Sequence, residues 1–378
     1  MACQKSHLGM KKLRFGVRYV SSLEELRQKI DAIDQELVHL INERAKVVVE
    51  VGKIKMADRN APPIYAPDRE RAVLSKVKAH NTGPLPDRCL LAIYRELMSG
   101  SFYLEKPLRI AYLGPEGSFS HTAALLKFGQ CVEYEPLADI RGVFNEIDRE
   151  HCDLGIVPVE NSLAGGIIET LDSLIDSSVL ICGEVLLAVH HNLLANCAMD
   201  EIRTIYSKPE VFTQCHQWLS ETMPRVETIA TASSAQAAKK AAAEPGTAAI
   251  GAAMAAELYN LKVVCQNIED VANNVTRFFV IGREPARPTG DDKTSIVFST
   301  AHKAGALVDV LKEFQQNEVN LTNIESRPSK KREREYYFFV DCQGHQVDKN
   351  VKAAIACAKK HCLQLSILGS FPRAIEVL

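Results

Sequence analysis

Residues 43 to 55, ERAKVVVEVGKIK, place cations where a helix would otherwise bury apolar side chains. Leu23, Leu26, Ile30, Ile33, Leu37 and Leu40 recur at spacings of three and four, so the seam continues through positions 44, 47 and 51. Val47 and Val51 extend it and Arg44 interrupts it. At about 100° per residue, Lys55 lies about 20° from Arg44 inside the same stripe, while Arg27 projects about 100° away. A buried cation without a counter-charge is costly, so each must meet an anion or reach solvent. Either Arg44 fixes register and Lys55 extends its head to water, or the seam receives an anionic ligand. PDRER at 67–71 adds Arg69 and Glu70 at the start of a second helix, and a dianionic reactant would account for that convergence.

A second group of candidates lies in VPVENSLAGGIIETLD, residues 157–172, which reads as a buried strand, a turn and a Gly-Gly pair opening a helix. Free N–H groups at a helix start favour a carboxylate. GPEGSFSHTAA at 114–124, YSKPEVFTQC at 206–215 and NNVTRFFVIG at 273–282 accompany it in order. Near the end of the sequence, GALV at 305–308 offers a glycine that lets a ligand approach a helix start, and ESRP at 325–328 ends a strand. A glycine helix start and a proline strand stop would also explain those two stretches. His190 and His191 lack further ligands at usable spacing and read as strand-end polarity, and the eleven cysteines form neither a Cys-x-x-Cys pair nor a His/Cys cluster. Reduced thiols and no metal are expected. No Gly-x-Gly-x-x-Gly follows a first strand, so no nicotinamide or other cofactor is expected.

Three stretches of different texture must position these groups. From Ser22 to about Glu105 there is almost no strand signal: a helix of roughly thirty residues runs to about Met56, a second from Asp68 to about His80, and a third from Asp87 to about Leu104. The first is too long for the other two to cover, so a partner subunit is expected. From Pro107, short β-rich runs alternate with helices, including Ser120 to Phe128, Ile167 to Ile175 and Val211 to Glu221, which argues a doubly wound α/β unit. REPARPTGDDK reads as a linker. The remainder gives strand, helix, strand, strand, helix, strand, with helices from Gly305 to Gln315 and Val351 to His361, the ferredoxin-like plan. SKKRERE at 329–335 reads as a solvated hairpin tip. The domain limits that follow are 1–20 for a disordered basic leader, 21–106, 107–285, a linker at 286–293, and 294–378. A net charge of −2 and a pI near 6.6 argue against a nucleic-acid partner. The absence of a run of 18 apolar residues argues against a membrane span, and the reduced thiols suggest a cytoplasmic protein.

The series Arg27, Arg44, Lys55, Arg69 and Glu70 on a long-short-long helical plan resembles the all-helical chorismate mutase domain. That resemblance implies an intertwined dimer, with Arg27 reaching the partner's site and the others gripping the two carboxylates of chorismate, and it places Ser101 among the substrate contacts. The rearrangement needs no nucleophile, only a held conformer and charge stabilisation at the breaking ether oxygen. Ala66 stands where some members use Asp, and Glu105 where many bacterial members have a Gln that donates to the ether oxygen. A carboxylate cannot donate, so Glu105 would have to act protonated.

The segment 107–285 resembles prephenate dehydratase through its four ordered motifs. The resemblance implies an α/β domain of two subdomains like those of periplasmic binding proteins, and puts the family's essential threonine at Thr276 in Thr276-Arg277-Phe278. Prephenate loses its ring hydroxyl and carboxylate together, so the site must supply a donor to the departing oxygen in a dry pocket. Thr276 either donates directly or acts with a relay through Glu160 or water. Ser118, Glu160, Asn161, Ser162, Thr170 and Phe278 are pocket-lining candidates, and Arg277 either binds a substrate carboxylate or caps a helix. Lys208 replaces the family's usual His. Gly305, Ala306, Leu307 and Val308 with Glu325, Ser326, Arg327 and Pro328 resemble the phenylalanine-binding ACT domain, which implies an inhibitor site at a dimer interface. The whole pattern resembles that of the bifunctional chorismate mutase–prephenate dehydratases, which implies a helical bundle, an α/β domain and an α+β ferredoxin-like domain, acting on chorismate and prephenate and inhibited by phenylalanine. Two other readings remain: a dehydratase whose helical segment only dimerises or regulates, and a non-catalytic small-molecule sensor.

Overall fold

The computed structural model describes residues 22–58, 63–329 and 336–378. The basic leader and nearly all of the expected hairpin tip lie outside the described residues. Ser22 and Glu25 start the first helix as a reciprocal box, the Glu25 N–H donating to Ser22 Oγ (3.1 Å) and the Ser22 N–H to Glu25 Oε2 (2.9 Å). Helix α1 then runs without interruption over Leu23–Ala57. Its seam residues Leu26, Ile30, Ile33, Leu37, Leu40 and Val47 are exposed in the single chain. The chain divides into two compact units between Val48 and Val49. Helix α2 (Pro67–His80) opens with proline in its first turn, where no N–H is missed, and α3 (Asp87–Glu105) opens with an aspartate.

The next stretch builds two sheets. β1 (Arg109–Leu113), α4 (Phe119–Phe128), β2 (Glu133–Leu137), α5 (Ile140–Asp148), β3 (Leu154–Asn161), the short β4 (Gly165–Gly166), α6 (Ile168–Asp176) and β5 (Leu180–Ala188) form one lobe. The chain then crosses to a second lobe made of β6 (Asn192–Ala195), β7 (Thr204–Ser207), α7 (Pro209–Gln214), α8 (His216–Thr222), β8 (Glu227–Ala230), α9 (Ser234–Ala243), β9 (Thr247–Gly251), α10 (Ala253–Leu258) and β10 (Lys262–Cys265). It returns as β11 (Val275–Gly282), so the first sheet has the order β2-β1-β3-β11-β5 and the second β10-β6-β9-β7-β8. The helix expected over Val211 to Glu221 is two, broken at Cys215, whose φ of −117° and ψ of 18° leave the helical region. Helix α5 was not among the expected elements.

The third sheet follows: β12 (Asp292–Ser299), α11 (Ala306–Gln316), β13 (Leu321–Pro328), β14 (Tyr336–Gln343), α12 (Lys349–Ala358) and β15 (Gln364–Pro372), ordered β13-β14-β12-β15 and antiparallel throughout, as the ferredoxin-like plan requires. The first sheet is buried on both faces. Ile110, Tyr112, Ile156, Phe278 and Val280 pack on one side with Phe128 and Tyr65, and Val157, Phe279 and Ile281 pack on the other with Val297, Phe339 and Phe371 of the third sheet. Residues 373–378 run back along the free edge of β5: Leu378 N–H donates to Leu186 O (2.8 Å) and Ala188 N–H to Leu378 O (2.9 Å).

Candidate active site

Thr276 is the second residue of β11 as the chain re-enters the first lobe, and register pairs it with Asn161, the last residue of β3. Residues facing each other across an antiparallel pair point the same way, so their side chains meet: Asn161 Nδ2 donates to Thr276 Oγ1 at 2.9 Å. Asn161 is itself fixed. Its Oδ1 accepts from the N–H groups of Leu163 and Ala164, each at 3.1 Å, and its Nδ2 also donates to Asn274 Oδ1 at 2.7 Å. The chain of amides continues into the second lobe, where Gln214 Oε1 accepts from Asn274 Nδ2 (3.4 Å) and from His191 Nε2 (2.7 Å). Ser162 locks the turn, accepting the Val275 N–H at 3.0 Å and donating to Asn273 O at 3.2 Å. Phe119, from the GPEGSF loop, meets the His191 ring edge to face with centroids 5.7 Å apart.

Burial holds the His191 imidazole below its ordinary pKa, and its Nδ1 has no hydrogen-bond partner among the described residues. With Thr276 Oγ1 accepting from Asn161, the threonine hydroxyl, itself buried at the junction of the two lobes, keeps its own proton to give. Asn274, Gln214 and His191 were missed by the sequence reading. Amides in separated segments carry no spacing signal, and His191 read as strand-end polarity.

The strand pleat separates other candidates from this group. β3 carries an extra residue, Val159, opposite the Arg277–Phe278 step of β11, and the register shift pairs Glu160 with Arg277. Both therefore lie on the sheet face opposite Thr276 and Asn161, toward the third sheet. Arg277 caps no helix and is held by protein carboxylates: Nε donates to Glu184 Oε2 (2.8 Å) and Nη1 to Asp341 Oδ2 (2.5 Å). Glu160 is near Glu325 rather than Thr276, which removes it as a direct relay. Burial, together with the Glu160 charge, raises the Glu325 carboxyl pKa. Phe278 is core beneath the site. The Thr170 hydroxyl is buried and donates to Pro158 O (2.5 Å), and Ser118 caps α4, accepting from His121 N–H (3.3 Å) while donating to Leu113 O (3.0 Å). These two residues shape the backbone, with hydroxyls already committed.

Of the helical candidates, Lys55 Nζ donates to Glu105 Oε2 at 2.7 Å, and Gly52 lets the two helices close there, since a Cβ on it would stand 3.1 Å from Glu105 Cα. Glu70 accepts from Lys127 at 3.0 and 2.8 Å with both oxygens. Arg69 and Arg27 are exposed and Arg44 is half-buried. The neighbouring Arg71, not singled out from sequence, donates to Asp291 Oδ2 at 2.5 Å and so pins the expected linker. Ser101, nearly buried, donates to Leu97 O (2.7 Å) within α3.

In the third sheet, Gly305 caps α11 with φ of 82°, a conformation that favours glycine. Ala306 is buried, Leu307 joins the local core and Val308 is exposed. The Glu325–Pro328 strand end faces the dehydratase-like sheet: Arg327 Nη2 donates to Asp172 Oδ1 of α6 at 2.7 Å, and a Cβ on Gly166 would run into the Glu325 carboxylate. Ser326 and Pro328 are exposed.

A helical segment, a two-lobed α/β segment with a threonine at the lobe junction, and a ferredoxin-like sheet packed against it define a multidomain enzyme with an appended regulatory module. Family models match in the same order: chorismate mutase type II over residues 26–106, prephenate dehydratase over 110–286 and the ACT domain over 294–356. The bifunctional chorismate mutase/prephenate dehydratase of Stutzerimonas stutzeri is 43% identical over 358 residues, covering 93% of this chain and 98% of that protein. Among solved structures, a prephenate dehydratase from Arthrobacter aurescens in complex with L-Phe aligns with a TM-score of 0.66 and 30% identity, over 71% of this chain and 90% of that one. GqqA, described as a quorum-quenching acylase, aligns with the same TM-score at 25% identity, over 71% of this chain and 98% of that one. The chain belongs to the bifunctional chorismate mutase/prephenate dehydratase family.

Proposed function

We propose that this chain converts chorismate to prephenate and prephenate to phenylpyruvate, and that phenylalanine inhibits it. The observation that carries the reading is the co-linear match of all three segments to a relative that this chain spans almost end to end. The shared fold of GqqA makes the site, not the fold, the deciding feature.

In the dehydratase step, Thr276 donates its proton to the departing hydroxyl while the ring carboxylate leaves as carbon dioxide and the ring becomes aromatic. The orientation of the threonine by Asn161 supports this role. In the mutase step, Arg44, Lys55 and Arg69 bind the two carboxylates, Glu70 and Ser101 contact the substrate, and Glu105 donates to the ether oxygen when protonated. Arg27 comes from a second copy, whose α1 covers the exposed apolar stripe of the first. The enzyme is a homodimer or larger homo-oligomer in the cytoplasm, acts without a cofactor, and takes phenylalanine at the segments headed by Gly305 and Glu325. No described helix is long and apolar enough to cross a membrane.

The test is purified protein given chorismate alone, with products resolved with and without phenylalanine. Phenylpyruvate that falls when phenylalanine is added is the expected result. Untouched chorismate would reject the mutase assignment, and accumulated prephenate would reject the dehydratase assignment.

A further inference from the structure

The face of β11 opposite Thr276 carries a buried ionic cluster shared between two segments. Arg277 is 8% exposed. Its guanidinium reaches Glu184 on β5 and Asp341 on β14, and it lies over the Phe279 ring with the guanidinium carbon 4.7 Å from the centroid. Lys293 on β12 closes the cluster, with Nζ 3.0 Å from Glu184 Oε1, and the Ala374 N–H donates to the same oxygen at 2.8 Å. Ser295 on β12 donates to Asp341 Oδ1. Two cations thus face two anions, one of each from the dehydratase-like sheet and one of each from the ACT-like module. Burial alone would raise the Glu184 carboxyl pKa, but Arg277 and Lys293 hold it below its ordinary value. A buried ion pair is a poor source of stability compared with apolar packing, and its best-attested use is to fix one arrangement among several.

What this cluster fixes is indicated by its neighbours. Arg277 directly follows Thr276, and the β3 bulge lies at the Arg277–Phe278 step, where the ladder alone specifies geometry least. We propose that Arg277 is a positioning residue for the dehydratase step: Asp341 and Lys293 of the ACT-like module, with Glu184, hold its side chain on one face of β11 and thereby set where Thr276 stands on the other. The regulatory module is then a structural part of the lyase site. This inference rests on the role given to Thr276 above.

The test uses the full chain, with prephenate turnover and chorismate consumption measured on the same preparations. Asp341→Asn preserves shape and removes the charge. Its expected effect is about a tenfold fall in kcat for prephenate with KM within about twofold and an unchanged mutase rate, since misplacement of a donor costs turnover rather than binding. Arg277→Gln should fall similarly, and the Arg277→Gln/Asp341→Asn double variant should be no worse than Arg277→Gln alone, the sign of a shared interaction. A wild-type kcat in Asp341→Asn, or additive losses in the double variant, would overturn the proposal. If Asp341→Asn also loses mutase activity through misfolding, Ser295→Ala decides: a lowered prephenate kcat with mutase intact supports the proposal, and an unchanged kcat rejects it. Wild-type protein inert toward prephenate would instead reject the role of Thr276 itself.

Discussion

Helix α1 and strand β11 solve the problem of carrying reactive polar groups in opposite ways. Around β11, Thr276 is oriented by Asn161 and Arg277 is neutralised by Glu184 and Asp341, all within one chain. Along α1, Leu26, Ile30, Ile33, Leu37 and Leu40 are exposed, and its candidate cations share the helix with apolar side chains that the single chain leaves in water. An apolar stripe of that length is not a stable surface for a solitary molecule. The contrast is that the polar groups around β11 find their partners within one chain, whereas the apolar side chains along α1 do not.

That contrast can be broken most sharply at Thr276. Thr276→Ala should lower prephenate turnover by about 10²–10³-fold, the usual effect of removing one donor to a developing charge, while chorismate consumption stays unchanged. Unchanged phenylpyruvate production would reject the assignment. Leu37→Glu, on the exposed stripe, should act the other way: a mutase rate lowered by at least about tenfold and a lighter species in sedimentation, with the prephenate rate within about twofold, because a buried unpaired carboxylate disfavours association. Equal losses in both activities would remove the distinction between the two sites.

A smaller effect is expected at Glu105. A carboxylate that accepts from Lys55 has no proton to donate, so Glu105→Gln, which supplies an N–H donor of the same shape, should raise the mutase rate severalfold at pH 7. An unchanged rate would sink that role. The smallest effect concerns Glu184. Its folded pKa is lowered, so the stability it contributes is fully present above the ordinary carboxylate range and is lost as pH falls through the lowered folded value. Melting curves from pH 7 to pH 3 should show an acid drop that Glu184→Gln reduces by a few degrees, at roughly 2–4 °C per kcal/mol.

Much of this architecture is legible in the sequence. Periodicity located α1, α2 and α3, because amphipathic spacing and proline breaks are local signals. Thr276 and Asn161 could be named because their motifs are contiguous. Alternation alone separates Glu160 from Asn161, but which of them shares a face with the residues before Val159 was not legible, because the extra residue there shifts the register and no local pattern announces a bulge. The partners of Arg277 come from β5 and β14, elements that only the completed fold brings together. The break at Cys215 was hidden because the sequence on either side favours helix.

The return of residues 373–378 along β5 also bears on how the protein is made. A strand with an unpaired edge invites pairing with other chains, and β5 keeps that edge until a segment far downstream has been synthesised and has docked, with Leu378 bonded to Leu186 and Ala188. During synthesis the catalytic sheet therefore passes through a stage in which its outermost strand can be captured by another chain. In this architecture the edge of a sheet made early is paired only by a segment made after the third sheet.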